Sequence, residues 1–427
     1  MNETLRRHGE KAANAAIRAV MPRDAVCRAL EGKTFPGRVF LVAVGKAAPA
    51  MAGAALSVLP QPVTEGVVIS KYGHFDGPIE PLRCYEAGHP VPDENSVLAA
   101  EAALSMTENL RADDTVLLLL SGGGSALFEK PLIPLAELRN ITGQLLGCGA
   151  DIVEMNTIRK RLSAVKGGRF ALHCAPARVE AVVLSDVLGD PLDMIASGPV
   201  SPDSATCADA LSIAAKYGLH ISPEAESCLR IETPKTLDNV NAQVVGSVRA
   251  LCRAAGDACR AMGYEPVFLT DRLNGEAREA GRYLADILRA HAGEGRRMAF
   301  IAGGETVVHL TGTGLGGRNQ ELALAAAEGL RGLHGAALIS VGSDGTDGPT
   351  DAAGGYVDGD TYDALEEKGI SLHDTLQNND AYHALQAVDG LIVTGPTGTN
   401  VNDVCIGLLD GGEGGMGGRA HGRCHHT

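Results

Sequence analysis

Lys46 directly follows Gly45 at the end of the apolar run RVFLVAV and opens an Ala-rich helical pattern. An ammonium there lies where a phosphate oxygen would approach a helix N-terminus, adding a point charge to aligned backbone N–H groups. The plainer alternative is a surface lysine that snorkels out over the helix start. This is not a Walker A loop, because the glycine spacing and the Lys-Ser/Thr pair are missing. Ser121-Gly122-Gly123-Gly124-Ser125 follows a second aliphatic run, TVLLLL. Its consecutive N–H groups, free of side chains, form a candidate anion nest, and Ser121 or Ser125 is placed to donate to a carboxylate or phosphate. A strand-to-helix turn needing positive φ is the other reading, but three adjacent glycines exceed what a turn requires. GxSxG is not matched, so this is no nucleophile elbow.

Asp186 and Asp190, in LSDVLGD, stand just past a third apolar run. Two carboxylates at a strand end can hold Mg²⁺ through water or act as general base toward an alcohol; a turn or helix-cap role is the commoner use of Asp. In GTGLGGRNQELALAAA, Arg318 stands at a helix start. A cation opposes the helix dipole there, at a cost of about a few tenths of a kcal/mol unless an anion sits beside it. That locally unfavourable choice points to phosphate oxygens as partners, with Glu305 and Asn319 as supporting groups. SDGTDGPTDAAG supplies Asp344, Asp347 and Asp351, and lacks the terminal Glu of a calcium loop. GPTGTNVND adds Thr397, Thr399 and Asn400 as polar contacts of phosphate size. His89, in GHPVPDENS, is read as structural.

These residues need a scaffold that brings strand ends together. RVFLVAV, EGVVIS, TVLLLL and VEAVVLS are apolar runs separated by helical stretches such as ENSVLAAEAALSMTENL, whose start Asp93 or Asn95 can cap. Buried strands alternating with helices predict an α/β protein with a mostly parallel sheet. In such sheets ligands sit beyond the strands' carboxyl ends, where every glycine-rich run falls. The first thirty residues read as one amphipathic helix. A second module follows, from RMAFIAGGET to GLIVTGPTGTNVNDVCIGLL, and the Pro-rich passage 200–240 is the candidate inter-domain region. At 427 residues, two domains are the default.

A net charge of −15 with no basic run longer than Arg159-Lys160-Arg161 disfavours nucleic acid. No apolar run is long enough to predict a membrane span or signal peptide, and the ten cysteines form no CxxC pair. A reduced cytoplasmic location follows, with the cysteines filling the core. The Gly/His-rich tail GGEGGMGGRAHGRCHHT predicts disorder.

Together the motifs VGKAAPAM, HPVPDENS, LLSGGGSAL, MNTIRKRLSAVKGGRFA, LSDVLGDPLDMIASGP, GGETVVHLTGTGLGGRNQELALA, SDGTDGPTDAAG and GPTGTNVND resemble, in order and over nearly the whole chain, the glycerate 2-kinase family. Val248, where the family often has Asn, is a small departure. The resemblance implies a Rossmann-like N-terminal domain (1–236), a connecting α/β segment (237–296), a smaller C-terminal α/β domain of the MOFRL type (297–408) and a disordered tail (409–427). It implies an active site in the inter-domain cleft and transfer of the γ-phosphoryl of ATP to the 2-hydroxyl of D-glycerate. Lys46 and Arg318 match the residues regarded as catalytic, approaching the migrating phosphoryl from separate domains. Asp186 joins them as candidate catalytic carboxylate, and Asp186 and Asp190 as anchors for Mg²⁺. Gly45, Ser121, Gly122, Gly123, Gly124, Ser125, Glu305, Asn319, Asp347 and Thr397 are the expected ATP and substrate contacts. The partners are small molecules, and a homodimer stays open. The rival readings are an NAD(P)H-dependent hydroxypyruvate reductase, against which the missing GxGxxG after the first strand counts, and a non-catalytic nucleotide-binding protein.

Overall fold

The computed structural model describes residues 1–411; the rest of the Gly/His tail lies outside the described residues. The chain forms two compact units. One comprises Ile17–Leu251 and Gly398–Asn402; the other comprises Met1–Ala16, Cys252–Thr397 and the chain from Asp403.

In the first unit β1 (Val39–Val44), β2 (Glu65–Lys71), β3 (Arg83–Ala87), β4 (Thr115–Leu120), β5 (Arg178–Leu184) and β6 (Val240–Gly246) form one sheet in the order β3-β2-β1-β4-β5-β6. Every neighbouring pair is parallel. The runs VFLVAV and TVLLLL are buried at all positions, because helices cover both faces of the strands that carry them. Val42, Val44, Leu118 and Leu120 pack toward Ala99, Ala100 and Ala103 of the helix Glu94–Met106. Leu41, Ala43, Leu117 and Leu119 pack toward Met51, Ala52 and Ala55 of the helix Ala48–Val58. Each fully buried leucine contributes about 1.5–3 kcal/mol. Asp93 caps the helix Glu94–Met106, accepting from the Ser96 N–H in a capping box.

Two expectations are corrected. The first thirty residues make two helices, Glu3–Ala19 and Pro22–Leu30, because Met21 is extended and Pro22 starts the second. The passage 200–240 is no linker. It forms the helices Cys207–Lys216 and Pro223–Leu229, whose Ala210, Ala214, Ala225 and Leu229 join Leu138, Ile141 and Ile158 in a helical cluster within the first unit.

In the second unit β7 (Glu265–Leu273), β8 (Met298–Gly304), β9 (Ala336–Gly342), β10 (Gly354–Asp358), β11 (Leu391–Ile392) and β12 (Asp403–Leu409) form a sheet ordered β11-β10-β9-β12-β8-β7. Only β7–β8 is parallel here, since β12 runs antiparallel to both β8 and β9. The helices Ala277–His291 and Arg318–Leu330 cover one face with Leu284, Leu288, Leu322 and Leu330. They cross closely at Gly281, where a Cβ would meet the Leu322 carbonyl at 2.1 Å.

Candidate functional site

In the first unit the sheet order reverses direction between β1 and β4, and the ends of β1, β4 and β5 carry Gly45-Lys46, Ser121–Ser125 and Asp186. The fold thus brings these predicted residues to one strand-end crevice. Lys46 N–H donates to the Gly122 carbonyl at 2.9 Å, tying the two loops together. Gly45 has φ +122°, and a Cβ there would fall 2.2 Å from Ser121 Oγ. Gly123 has φ +90°, while a Cβ on Gly122 would lie 2.3 Å from Asp186 Oδ2. The glycines are therefore required by close approach of the protein's own atoms, a reason their bare sequence does not reveal.

Their amides are nonetheless open. Among the described residues, the N–H groups of Gly122, Gly123, Gly124 and Ser125 meet no acceptor. The serine hydroxyls, by contrast, are already engaged. Ser121 Oγ accepts from Ala47 N–H at 3.1 Å and donates to the Val44 carbonyl at 3.4 Å. Ser197 donates to Asn156 Oδ1 at 3.0 Å, so Ser125, 2.9 Å from Ser197 Oγ, is the donor in that pair. The expectation that either serine donates to a ligand thus loses its free proton.

The Lys46 side chain is exposed and forms no ion pair among the described residues; it borders a groove of about 560 Å³ with Pro49, His74, Asp76 and Pro78. His89 also stands here, though the sequence reading set it aside. Its ring edge lies 3.0–3.2 Å from where a Gly123 Cβ would be. Burial and the neighbouring charges of Lys46, Lys71 and His74 hold its pKa below the ordinary value, so the imidazole is neutral in a positive field. The missed signal was β3: a histidine just beyond a parallel strand's carboxyl end belongs to the crevice.

Asp190 is in the turn after Asp186, at φ +57°, and its carboxylate has no hydrogen-bond partner among the described residues. No group of three His, Cys, Asp or Glu side chains able to hold a metal exists among the described residues. A dedicated protein cage is therefore not what the donors fit. One or two carboxylates beside phosphate oxygens are the usual Mg²⁺ arrangement, and Asp186 and Asp190 are two carboxylates on the loop that follows β5.

In the second unit Arg318 opens its helix, held in a two-pronged pair by Asp403, with Nε–Oδ2 at 2.6 Å and Nη2–Oδ1 at 3.0 Å. Glu305 takes Nη1 at 2.8 Å. Asp347 caps the same helix, accepting from Asn319 N–H at 3.1 Å and Gln320 N–H at 2.9 Å. The anion that a cation at a helix start calls for is thus supplied internally by carboxylates. Burial pushes the Asp403 carboxyl up to about 6 against the opposing pull of Arg318. Asp403 was missed by sequence reasoning; the β12 register places it opposite Gly304, one residue before Glu305. Thr397 donates to the Ser343 carbonyl at 2.6 Å and braces the turn that carries Asp347.

Comparison with known proteins accords with this geometry. Residues 8–230 match a domain of unknown function, DUF4147, and residues 298–403 match the MOFRL family. The chain is 50% identical over 413 residues to the D-glycerate 2-kinase of Thermotoga maritima, covering 95% of this chain and 99% of that protein. A crystal structure of glycerate kinase from the same organism superimposes with a TM-score of 0.93 over 96% of this chain and all of that one. The glycerate 2-kinase of Pyrococcus horikoshii is 40% identical, covering 95% of this chain and 97% of that one. The chain belongs to the glycerate 2-kinase family.

Proposed function

We propose that the chain is a kinase that transfers the γ-phosphoryl of ATP to the 2-hydroxyl of D-glycerate, giving 2-phosphoglycerate and ADP. The observation that carries this is the strand-end crevice: four open amides beside an unpaired lysine, in a chain half identical to a D-glycerate 2-kinase. Phosphoryl transfer asks a protein mainly to position reactants and neutralise charge on the transferred group. Lys46 supplies a mobile ammonium, and the amides of Gly122–Ser125 supply fixed dipoles. Arg318 is the second catalytic cation, oriented by Asp403, Glu305 and, through the helix start, Asn319 and Asp347. Asp186 orients the attacking hydroxyl. Mg²⁺, when bound, neutralises the nucleotide's phosphates; Asp186 and Asp190 are the residues that would hold it.

The strand order of the first sheet supports a Rossmann-like reading of that unit. The nine described cysteines are all free, which accords with a cytoplasmic protein, and no helix among the described residues is long and apolar enough to cross a membrane. Incubation with ATP, Mg²⁺ and D-glycerate, followed by phosphorus NMR, should show 2-phosphoglycerate and ADP. Oxidation of NADH by hydroxypyruvate, without ATP-dependent product, would establish a reductase instead.

A further inference from the structure

We propose that Arg159 binds the carboxylate of the hydroxy-acid substrate, and so sets the preference for an acid over an uncharged alcohol. This rests on the kinase reading above. Arg159 belongs to a run of three basic residues at the end of the helix Ile152–Arg161. Its two neighbours are neutralised inside the protein: Lys160 by Asp193 and Asp203, Arg161 by Asp203 and Glu232. Arg159 forms no ion pair among the described residues. The carboxylate that acts on it, Glu129, is fully buried and already held by Lys166, at 2.5 Å. Lys166 takes up that carboxylate as its own partner, so the guanidinium of Arg159 is attracted to Glu129 at a distance but has no ion pair of its own among the described residues. Burial holds its pKa below the ordinary value, so its location is costly without an anion.

Its position gives that charge a purpose. One of its five N–H donors reaches the Ser125 carbonyl, Nη2–O 3.0 Å, at the end of the glycine loop; no other hydrogen bond of this side chain exists among the described residues. Asn156, three residues earlier on the same helix, faces the same corner. Its Oδ1 takes the Ser197 proton, and Ser197 in turn takes that of Ser125. Both hydroxyl protons are thereby consumed, while the buried Asn156 Nδ2 meets only Met194 Sδ at 3.6 Å. The side-chain donors left for a ligand at this corner are therefore a planar guanidinium fork and one amide. The non-glycine residues Ala196 and Ser197 hold left-handed φ values of 50° and 59° to complete this corner. A single fork with neutral neighbours matches one planar carboxylate, whereas the several charges of a nucleotide's phosphates call for more cations than this corner offers.

The test is steady-state kinetics of Arg159→Gln and Arg159→Lys with D-glycerate, and with uncharged glyceramide. The expected result for Arg159→Gln is a KM for glycerate raised about 10- to 100-fold, with the KM for ATP unmoved. The ratio of kcat/KM for glycerate over glyceramide should fall by a similar factor, and Arg159→Lys should restore part of it. A merely structural arginine would leave that ratio unchanged, and such a result overturns the proposal. So does a raised KM for ATP with glycerate unaffected, which would assign Arg159 to the nucleotide. If the glutamine variant does not fold, the same ratio measured on the lysine variant decides. Wild-type protein that phosphorylates no glycerate would instead defeat the kinase reading itself.

Discussion

Replacing Asp347 by alanine isolates the device that seats Arg318. The carboxylate is 3% exposed and accepts from Asn319 N–H, Gln320 N–H and Gln320 Nε2, the last at 3.0 Å. Loss of a helix cap alone costs about 1 kcal/mol. Leaving further buried donors without a partner adds about 1–3 kcal/mol. Burial also raises the pKa of this carboxyl, so part of the gain from deleting a buried charge offsets that cost. A net loss of about 1–3 kcal/mol is expected, which lowers the unfolding midpoint by about 3–10 °C in a domain of this size. Asp347→Asn, which keeps one acceptor oxygen, should lose less. Differential scanning calorimetry of both variants and the wild type checks this. If Asp347→Ala unfolds within about 1 °C of wild type yet binds nucleotide poorly, the residue is a ligand contact and the capping argument is wrong.

Lys46→Ala should reduce turnover by about two or more orders of magnitude with no change in unfolding midpoint, because the side chain is exposed and unpaired; near-normal glycerate phosphorylation would remove Lys46 from the mechanism. Arg318→Ala should reduce turnover as strongly and also lower the midpoint, since it strands the Asp403 carboxylate, 7% exposed. The Asp403 carboxyl, raised from 3.8 to about 6, keeps its proton in the folded state over that window, so its contribution to stability is present below the window and lost as pH rises through about 6. Urea unfolding from about pH 4 to about pH 7 should show this decline in wild type and not in Asp403→Asn; parallel curves would count against it. Gly45→Ala should cost about 2 kcal/mol or more, because φ is +122° and the Cβ would collide with Ser121; circular dichroism melts decide this.

What the chain displayed openly was its buried strands. RVFLVAV, TVLLLL and AVVLS announce β1, β4 and β5, since short apolar runs ending at glycine or polar turn residues suit strands covered on both faces. β3 escaped notice because it is an edge strand: RCYEA is largely exposed and carries no apolar run. With it went His89. The antiparallel insertion of β12 was also hidden, since pairing register depends on partners far along the chain. For the site, Lys46, the glycines and Arg318 were visible as residue types at strand and helix ends. Their partners were not. Whether a serine has a proton to spare depends on Ala47, Val44 and Ser197, and which of three adjacent basic residues remains unpaired depends on Asp203 and Glu129.

The position of β12 bears on how the chain matures. Among the described residues it is the last strand, yet it lies in the middle of its sheet, paired on both sides. The unit around it also uses Met1–Ala16. A ribosome must therefore deliver the chain through Leu409 before β8 and β9 can meet their shared neighbour, and until then both expose unsatisfied edges. Ile17–Leu251 needs only the short stretch Gly398–Asn402 from the late chain and can assemble most of its sheet during translation. Premature termination even a few residues before Leu409 would yield a product with half its architecture unable to close. A stop codon placed after Asp410 should be tolerated, because the strand would then be complete.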